Sequence, residues 1–298
     1  MSILVQANSA SFVGRLRHGI ATSGISSLPG KAARLLRRSW RQFRFKPYTI
    51  TKHVAGETFR FQIADVWAED WYAIGEAENE EALWLRAQLR SGDLFVDCGA
   101  HHGLFTLLAS RWVGAGGEVI AIEALKANAH VIRQNIALNE IANASVENIA
   151  ISDTTGVGHV EYRKFGFLNN SNGVVRASPS KDTTEVRTTT IDDVLRGRKP
   201  SVLKIDIEGY EVAGLAGAQQ ALDALPVLDI EVHCSCWQDA QSQVRKLFAL
   251  IPMQKYNGHI QLEVHGELVP LDVAKHTPEL IAQYDNVHLF LVPIQRMS

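Results

Sequence analysis

The sequence predicts an α/β fold, a doubly wound and mostly parallel seven-stranded sheet preceded by a helical and β-hairpin extension. Three observations predict it. Short apolar runs recur at Leu94-Phe95-Val96, Val119-Ile120-Ala121-Ile122, Val202-Leu203-Lys204-Ile205 and Val227-Leu228-Asp229-Ile230, and such continuous runs belong to strands covered on both faces. Helical segments separate them, at Leu104–Trp112, Ala127–Asn139, Ala213–Ala224 and Gln238–Leu250. Strands alternating with helices make a parallel sheet joined by crossovers. Between the first run and its helix lies a glycine turn, Asp97-Cys98-Gly99-Ala100-His101-His102-Gly103.

The remaining elements follow in order. Residues 1–30 are rich in Ser, Gly and Ala and show little periodicity. From Lys31 to Phe45, Leu35, Leu36, Trp40 and Phe43 recur near helical spacing with arginines between them, the pattern of a basic amphipathic helix. Thr49–Ile63 alternates around Ala55-Gly56-Glu57 and reads as a β-hairpin. Glu76–Arg90 reads as a helix ending at Ser91-Gly92-Asp93. Between Thr154 and Pro200 the rhythm breaks into β-like runs, His159–Arg163 and Val186–Thr190, flanking a polar loop, Gly166–Ser180. A hairpin around His265-Gly266 and a strand at Val287–Val292 close the chain. Residues 1–48 are expected to be a basic extension and residues 49–298 a single catalytic domain.

Composition narrows the function. The chain has 298 residues, 46% hydrophobic and 21% charged, with a formal net charge of −2, so no global charge argues for nucleic acid. Locally the balance differs: ten Lys or Arg precede the first acid, Glu57, and seven of them lie between Lys31 and Lys46. That segment suits an anionic membrane surface, a protein partner, or a solvated face on a helix of its own domain, and it also has the composition of a transit peptide. No apolar run reaches the roughly 18 residues of a membrane span, and no secretory signal is evident. Three cysteines are too few for a disulfide framework, so a cytoplasmic protein, at most peripheral at a membrane, is expected. Cys234-Ser-Cys236 lacks the spacing and second ligand pair of a zinc site. No resident metal is assigned.

The glycine turn carries chemistry. Glycines there let the backbone bend sharply and approach a ligand, with the amides of a helix N-terminus facing it. Glu123 ends the next strand, where a carboxylate accepts hydrogen bonds from ribose hydroxyls. A dinucleotide fingerprint has three glycines in Gly-x-Gly-x-x-Gly. Here Asp97 opens the motif and Gly99 and Gly103 stand four apart, which suits an amino-acid moiety better than a pyrophosphate. An NAD-linked oxidoreductase is thereby disfavoured.

The chain resembles the FkbM family of methyltransferases from about Thr49 onward. The family's Asp-Val-Gly-Ala-Asn-Ile-Gly is matched at Asp97, Gly99, Ala100 and Gly103. Lys204-Ile205-Asp206-Ile207-Glu208-Gly209 is similar to its Lys-Ile-Asp-Val-Glu-Gly, followed by Glu211, Leu215 and Gly217-Ala218. Thr190-Ile191-Asp192 resembles its Thr-Leu-Asp, and Glu231-Val232-His233 the acidic end of its fifth strand. The resemblance implies a class I, Rossmann-like methyltransferase fold with S-adenosyl-L-methionine as cofactor. It implies that Asp97, Gly99, Ala100, His101, Gly103, Glu123 and Asn148 hold that cofactor. His101 and His102 depart from the family, which has Asn and an aliphatic residue there.

Ligands of open α/β sheets bind beyond the carboxyl ends of the strands. Asp206, Glu208, Glu231 and His233 stand there and are the candidate catalytic residues. Transfer to a hydroxyl needs the proton removed and the acceptor positioned. An unperturbed His233 is suited to act as base near neutrality, with Asp206 orienting it or binding the hydroxyl, although an Asp at a strand end also serves to cap a helix. Carboxylates grouped at one rim also suit Mg²⁺ or Ca²⁺. Trp67, Trp71 and Tyr72 offer stacking surfaces, and Asn169, Asn170, Ser171 and Asn172 suit a hydroxyl-rich ligand. The expected activity is O-methylation of a glycan or secondary metabolite; the alternative is a non-catalytic scaffold or partner subunit that keeps the fold.

Overall fold

A computed structural model describes residues 40–41, 43–73, 79–161, 174–176, 183–263 and 266–296. Strands β1 (Tyr48–Val54) and β2 (Glu57–Ile63) pair antiparallel around the Ala55-Gly56 turn. A helical turn at Val66–Ala68, capped by the Asp65 carboxylate, runs into a π-helical turn at Glu69–Ala73. Helix α1 (Glu80–Gln88) is capped by Asn79, and the rest of the predicted Glu76–Arg90 helix is shorter at the described C-terminal end.

The main sheet is then laid down in strand–helix order: β3 (Leu94–Cys98), α2 (Leu104–Trp112), β4 (Glu118–Ile122), α3 (Lys126–Leu138) and β5 (Ala144–Glu147). A smaller sheet follows, from β6 (Ala150–Ile151), β7 (Gly156–Glu161), β8 (Val174–Arg176) and β9 (Thr183–Thr189). The chain returns through α4 (Ile191–Leu195), β10 (Val202–Ile205), α5 (Glu211–Ala216), α6 (Gln219–Asp223), β11 (Val227–Val232) and α7 (Ala240–Leu250). It ends with β12 (Tyr256–Gln261), β13 (Val269–Pro270), α8 (Pro278–Ile281) and β14 (Val287–Pro293). The sheet order is β13-β12-β14-β11-β10-β3-β4-β5. The five strands from β11 to β5 are parallel, and β14, β12 and β13 join antiparallel. The sheet has eight strands rather than seven because the C-terminal hairpin brings Val269 back onto Ile260, adding a two-residue edge.

Side-chain alternation explains why helices cover both faces. Val96, Cys98, Ile120, Ile122, Leu203, Ile205, Leu228 and Ile230 pack with residues of α4 to α7. The intervening Phe95, Val119, Val202 and Val227 pack with Leu85 of α1 and Ala109 of α2. The hairpin is tied to α3 by two amides: Asn135 Oδ1 accepts the Gln62 N–H at 2.8 Å and Asn139 Oδ1 the Arg60 N–H at 2.9 Å.

The predicted helix Ala213–Ala224 is broken into α5 and α6. A Cβ on Gly217 would stand 2.4 Å from the Ser152 carbonyl oxygen, so the chain must bend away from that strand end. Asp192 then caps the second piece, its carboxylate accepting from Gln220 N–H at 3.0 Å and Ala221 N–H at 2.9 Å. Of the described residues, Trp40, Arg41 and Phe43 to Lys46 belong to a separate unit; within it Trp40 and Phe43 stack with centroids 6.3 Å apart and the Arg44 guanidinium lies over Trp40 at 5.8 Å. Most of the predicted basic helix and of the Gly166–Ser180 loop, including Asn169 to Asn172, lies outside the described residues. Among the described residues no helix is long and apolar enough to cross a membrane.

Candidate active site

The glycine turn is held against the end of β4. Gly99 N–H and Ala100 N–H both donate to the Ile122 carbonyl, at 2.9 and 3.1 Å. Gly99 has φ +86° and a Cβ there would meet the Asp206 carbonyl oxygen at 1.7 Å, so only glycine fits. His101 also sits in the left-handed region, at φ 51°, where Asn is more at ease than His. Its ring is braced: Tyr72 Oη lies 2.5 Å from His101 Nδ1, and the His102 ring stacks behind it at 4.0 Å.

Glu123 is the anchor of this half. It is only 7% exposed, and its two oxygens accept from His101 N–H at 2.9 Å and Leu125 N–H at 2.8 Å. Burial pushes its carboxyl up and those backbone bonds offset part of the rise, leaving it at about 7. The Asn128 side chain gives the carboxylate a third bond, which leaves room for one further donor.

A cavity of about 540 Å³ opens beside this turn, within the range of small-molecule sites. Gly99, His101 and Glu123 line it on the turn side, with Ile122, Leu125, Ile149 and Val160 as an apolar wall and Asn128 beside them. Trp71 and Tyr72 also line it, whereas Trp67 stands behind Trp71 with ring centroids 5.7 Å apart. Asp206, Glu208, Glu231 and His233 line the same cavity. The structure thus brings the four candidate catalytic residues together with three of the seven candidate cofactor residues.

The other four support the wall from behind. Asn148 spends its amide N–H groups on the Glu123 and Ala124 carbonyls, at 2.8 and 3.0 Å, so it shapes the turn after β4. Ala100 and Gly103 form the backbone of the turn. Asp97 is 1% exposed; one oxygen accepts from the Thr106 hydroxyl at 2.6 Å and the other, Oδ1, has no partner. Burial raises its carboxyl to about 6, with the Thr106 bond opposing. An orphaned buried oxygen at the mouth of a glycine turn is the polar atom that a ligand's amine, through an ordered water, would complete.

On the other side the loop after β10 carries Glu208 at φ 52°, a strained conformation for a non-glycine residue of the kind that clusters at functional sites. His233, 3% exposed, is the hub. Its Nδ1 pairs with Glu211 Oε1 at 2.8 Å, and Nε2 stands 3.5 Å from Glu208 Oε2, 3.6 Å from Glu231 Oε1 and 3.8 Å from Asp206 Oδ1. Burial opposes a charge on the ring, but Glu211, Asp206 and Glu231 outweigh it and raise His233 to about 10. With nothing else bound, these carboxylates favour the protonated ring at neutral pH, where the sequence alone points to an ordinary imidazole. Glu208 is pushed up to about 7 by burial, with His233 opposing, and burial raises Glu231 too.

Beneath this group lies a closed charge network that the sequence did not announce. Lys204, 2% exposed, donates to Glu81 Oε1 at 2.5 Å, and His288 Nε2 lies 2.6 Å from Asp229 Oδ1. Burial works against the Lys204 charge, yet Glu81 and Asp229 hold its pKa well above the usual lysine value. Glu81, Asn128 and Asn286 are cavity residues with no sequence signal, because each comes from an element of ordinary composition. Glu211 did have one, its place two residues after Gly209 in the Lys-Ile-Asp-Val-Glu-Gly-like stretch.

A model of the methyltransferase FkbM domain matches residues 97–259. A search of curated proteins finds no match to the chain. Among solved structures, the methyltransferase FkbM of Methylobacillus flagellatus is similar at 20% identity and TM-score 0.43, over 68% of this chain and 45% of that one. The present chain thus spans less than half the length of that relative. Fibrillarin of Aeropyrum pernix, solved with natively bound S-adenosyl-L-methionine, is similar at 11% identity and TM-score 0.43 over 82% of each chain. The O-methyltransferase of Bacillus cereus, solved with SAH, is similar at 14% identity and TM-score 0.40, over 71% of this chain and 78% of that one.

Proposed function

The chain belongs to the FkbM family of methyltransferases, and from that premise we propose that it uses S-adenosyl-L-methionine to methylate a hydroxyl of a glycan or secondary metabolite. One observation carries the reading: Glu123 and the Asp206–Glu208–Glu231–His233 group line a single cavity. The residues on the turn side fit the cofactor. Glu123 keeps a lone pair for a ribose hydroxyl beside its bonds from His101, Leu125 and Asn128, the Ile122–Leu125–Ile149–Val160 wall suits a flat base, and the Asp97 Oδ1 orphan suits an amine reached through water. When bound, the cofactor supplies a methyl group on a sulfonium.

The chain's own groups do the rest. Asp206 accepts the proton of the acceptor hydroxyl, a task that a protonated His233 cannot perform. His233 keeps Glu208, Glu231 and Asp206 oriented about one point, and Trp71 and Tyr72 flank the space where a sugar ring would stack. With Asp206→Asn, methyl transfer should fall about 10²–10⁴-fold, the usual loss for a general base, while affinity for the demethylated cofactor stays within about twofold. Calorimetry that finds tight NAD binding and no affinity for S-adenosyl-L-methionine would overturn the assignment.

The same reading gives the segment Lys31–Lys46 a peripheral contact with an anionic membrane or a partner, supported by the Trp40–Phe43 stack beside Arg44. Each cation near an anionic leaflet contributes about 1 kcal/mol. A chain starting at Pro47 should retain cofactor affinity and lose binding to phosphatidylserine vesicles at low salt; equal vesicle binding by both chains would remove that role.

A further inference from the structure

We propose that Asp206, Glu208 and His233 form a divalent-cation site, with the ion holding the acceptor's oxygen in the cavity. The proposal deepens the methyl-transfer reading and rests on it for the identity of the acceptor side.

The three side chains come from the ends of two adjacent parallel strands, and one donor atom from each lies within 4.8 Å of the others. Ligands about 2.1–2.3 Å from a shared octahedral ion stand about 3.0–3.3 Å apart when adjacent and about 4.2–4.6 Å when opposite. The separations from His233 Nε2, 3.5 Å to Glu208 and 3.8 Å to Asp206, are slightly longer than those of adjacent ligands. Shifts of a few tenths of an ångström would close the shell, with Glu231 Oε1 at 3.6 Å as a further donor.

A second observation concerns the imidazole itself. His233 is buried, and its Nε2 makes no hydrogen bond among the described residues; it faces three carboxylate oxygens at nearly equal distances, each too far or too poorly aligned to accept from it. An imidazole simply paired with a carboxylate would collapse onto one of them, as its own Nδ1 does onto Glu211 at 2.8 Å. That Glu211 carboxylate is fully buried and is itself fixed by the Gly209 N–H at 2.8 Å. A buried carboxylate on one ring nitrogen, aiming the other nitrogen at a group of oxygen donors, is how metal-bound histidines are oriented. Binding of an ion displaces the Nε2 proton to solvent and leaves the other on Nδ1 against Glu211, so that Nε2 offers its lone pair.

The neighbouring group of Glu81, Asp229 and His288 has similar composition but already holds a cation, since the Lys204 ammonium bonds Glu81 at 2.5 Å and His288 bonds Asp229 at 2.6 Å. At the Asp206 site no lysine does this: the Lys204 ammonium is 3.9 Å from Asp206 and committed to Glu81. One imidazole with oxygen donors suits Mn²⁺, Fe²⁺ or Zn²⁺ better than the all-oxygen preference of Mg²⁺ or Ca²⁺. Three protein ligands leave positions for two adjacent oxygens, as in a vicinal diol of a sugar. Bound there, a hydroxyl becomes more acidic, which assists its deprotonation without any added redox step.

The test is Mn²⁺ titration of the full chain followed by electron paramagnetic resonance, with binding of the demethylated cofactor measured in parallel by calorimetry. One Mn²⁺ per chain is expected, with affinity reduced at least tenfold in Glu208→Gln and 10–100-fold in Glu211→Gln, while both variants keep cofactor affinity and so report their own folding. No Mn²⁺ binding by a chain that binds the cofactor overturns the metal site and leaves the methyl-transfer reading standing, the carboxylates then facing a cationic acceptor. Mn²⁺ binding unchanged in both variants overturns the site as well. Loss of cofactor binding under every condition overturns the underlying reading instead.

Discussion

Gly99 and Asp206 touch through their backbones: a Cβ on Gly99 would stand 1.7 Å from the Asp206 carbonyl oxygen, and Asp206 N–H donates to the Cys98 carbonyl at 3.0 Å. The glycine turn after β3 and the loop after β10 are therefore one packed unit, and neither can shift alone. Gly99→Ala should strain both, since alanine dislikes a φ of +86° and the clash is with backbone. We expect a loss on the order of 3 kcal/mol of stability, combining the left-handed penalty with overpacking, and loss of cofactor binding. A urea denaturation curve with an unchanged midpoint would show that the contact relaxes freely.

The Glu123 carboxyl, raised to about 7 by burial against partial relief from two backbone N–H groups, makes cofactor affinity depend on pH. A ribose hydroxyl donates to the anion, so binding favours the ionised form. Affinity should climb by up to tenfold per pH unit below about 7 and level off above it. The sign for the unliganded protein is opposite. Its folded carboxyl binds a proton more tightly than the ordinary value of 4.5, so this group's contribution to stability is full below 4.5 and is lost as pH rises through 7. The thermal shift caused by the demethylated cofactor should accordingly be larger at pH 8 than at pH 6, and Glu123→Gln should bind more weakly and abolish the difference.

Much of this architecture was legible in the sequence, for a physical reason. Strands β3, β4, β10 and β11 are apolar on both faces, and helices α2, α3 and α7 begin within two residues of their predicted starts. The glycine turn and Glu123 were readable because their chemistry is local. The break at Gly217 was not, since it depends on Ser152, which the sheet brings there only after folding. The surroundings of His233 were not legible for the same cause: Glu211, Asp206, Glu208 and Glu231 meet around it only after folding, and no spacing rule places four carboxylates around one ring.

Tyr72 offers a way to read the role of His101, which departs from the family's Asn. Its hydroxyl lies 2.5 Å from His101 Nδ1 while its ring packs on Phe61 with centroids 5.0 Å apart. Tyr72→Phe keeps the ring contact and removes one hydrogen bond, contributing about 1 kcal/mol. Cofactor affinity should drop about fivefold with little change in melting temperature. A drop in melting temperature at unchanged affinity would make the pair a structural brace only.

Lys204 is part of the motif that resembles the family, and its ammonium bonds Glu81 of the Glu81–Asp229–His288 network while standing 3.9 Å from Asp206. Buried cations of this kind are expensive to remove singly, because their partners are left charged and unpaired. Lys204→Met should destabilise the protein by about 3–5 kcal/mol, seen as a lower urea midpoint with an unchanged slope. Adding Glu81→Gln removes one orphaned charge and should restore a large part of that loss, which distinguishes an electrostatic cost from a packing defect. Equal destabilisation in the single and double variants would place the penalty in the cavity left beside Phe105, whose ring centroid lies 4.7 Å from the ammonium, rather than in the unpaired carboxylates.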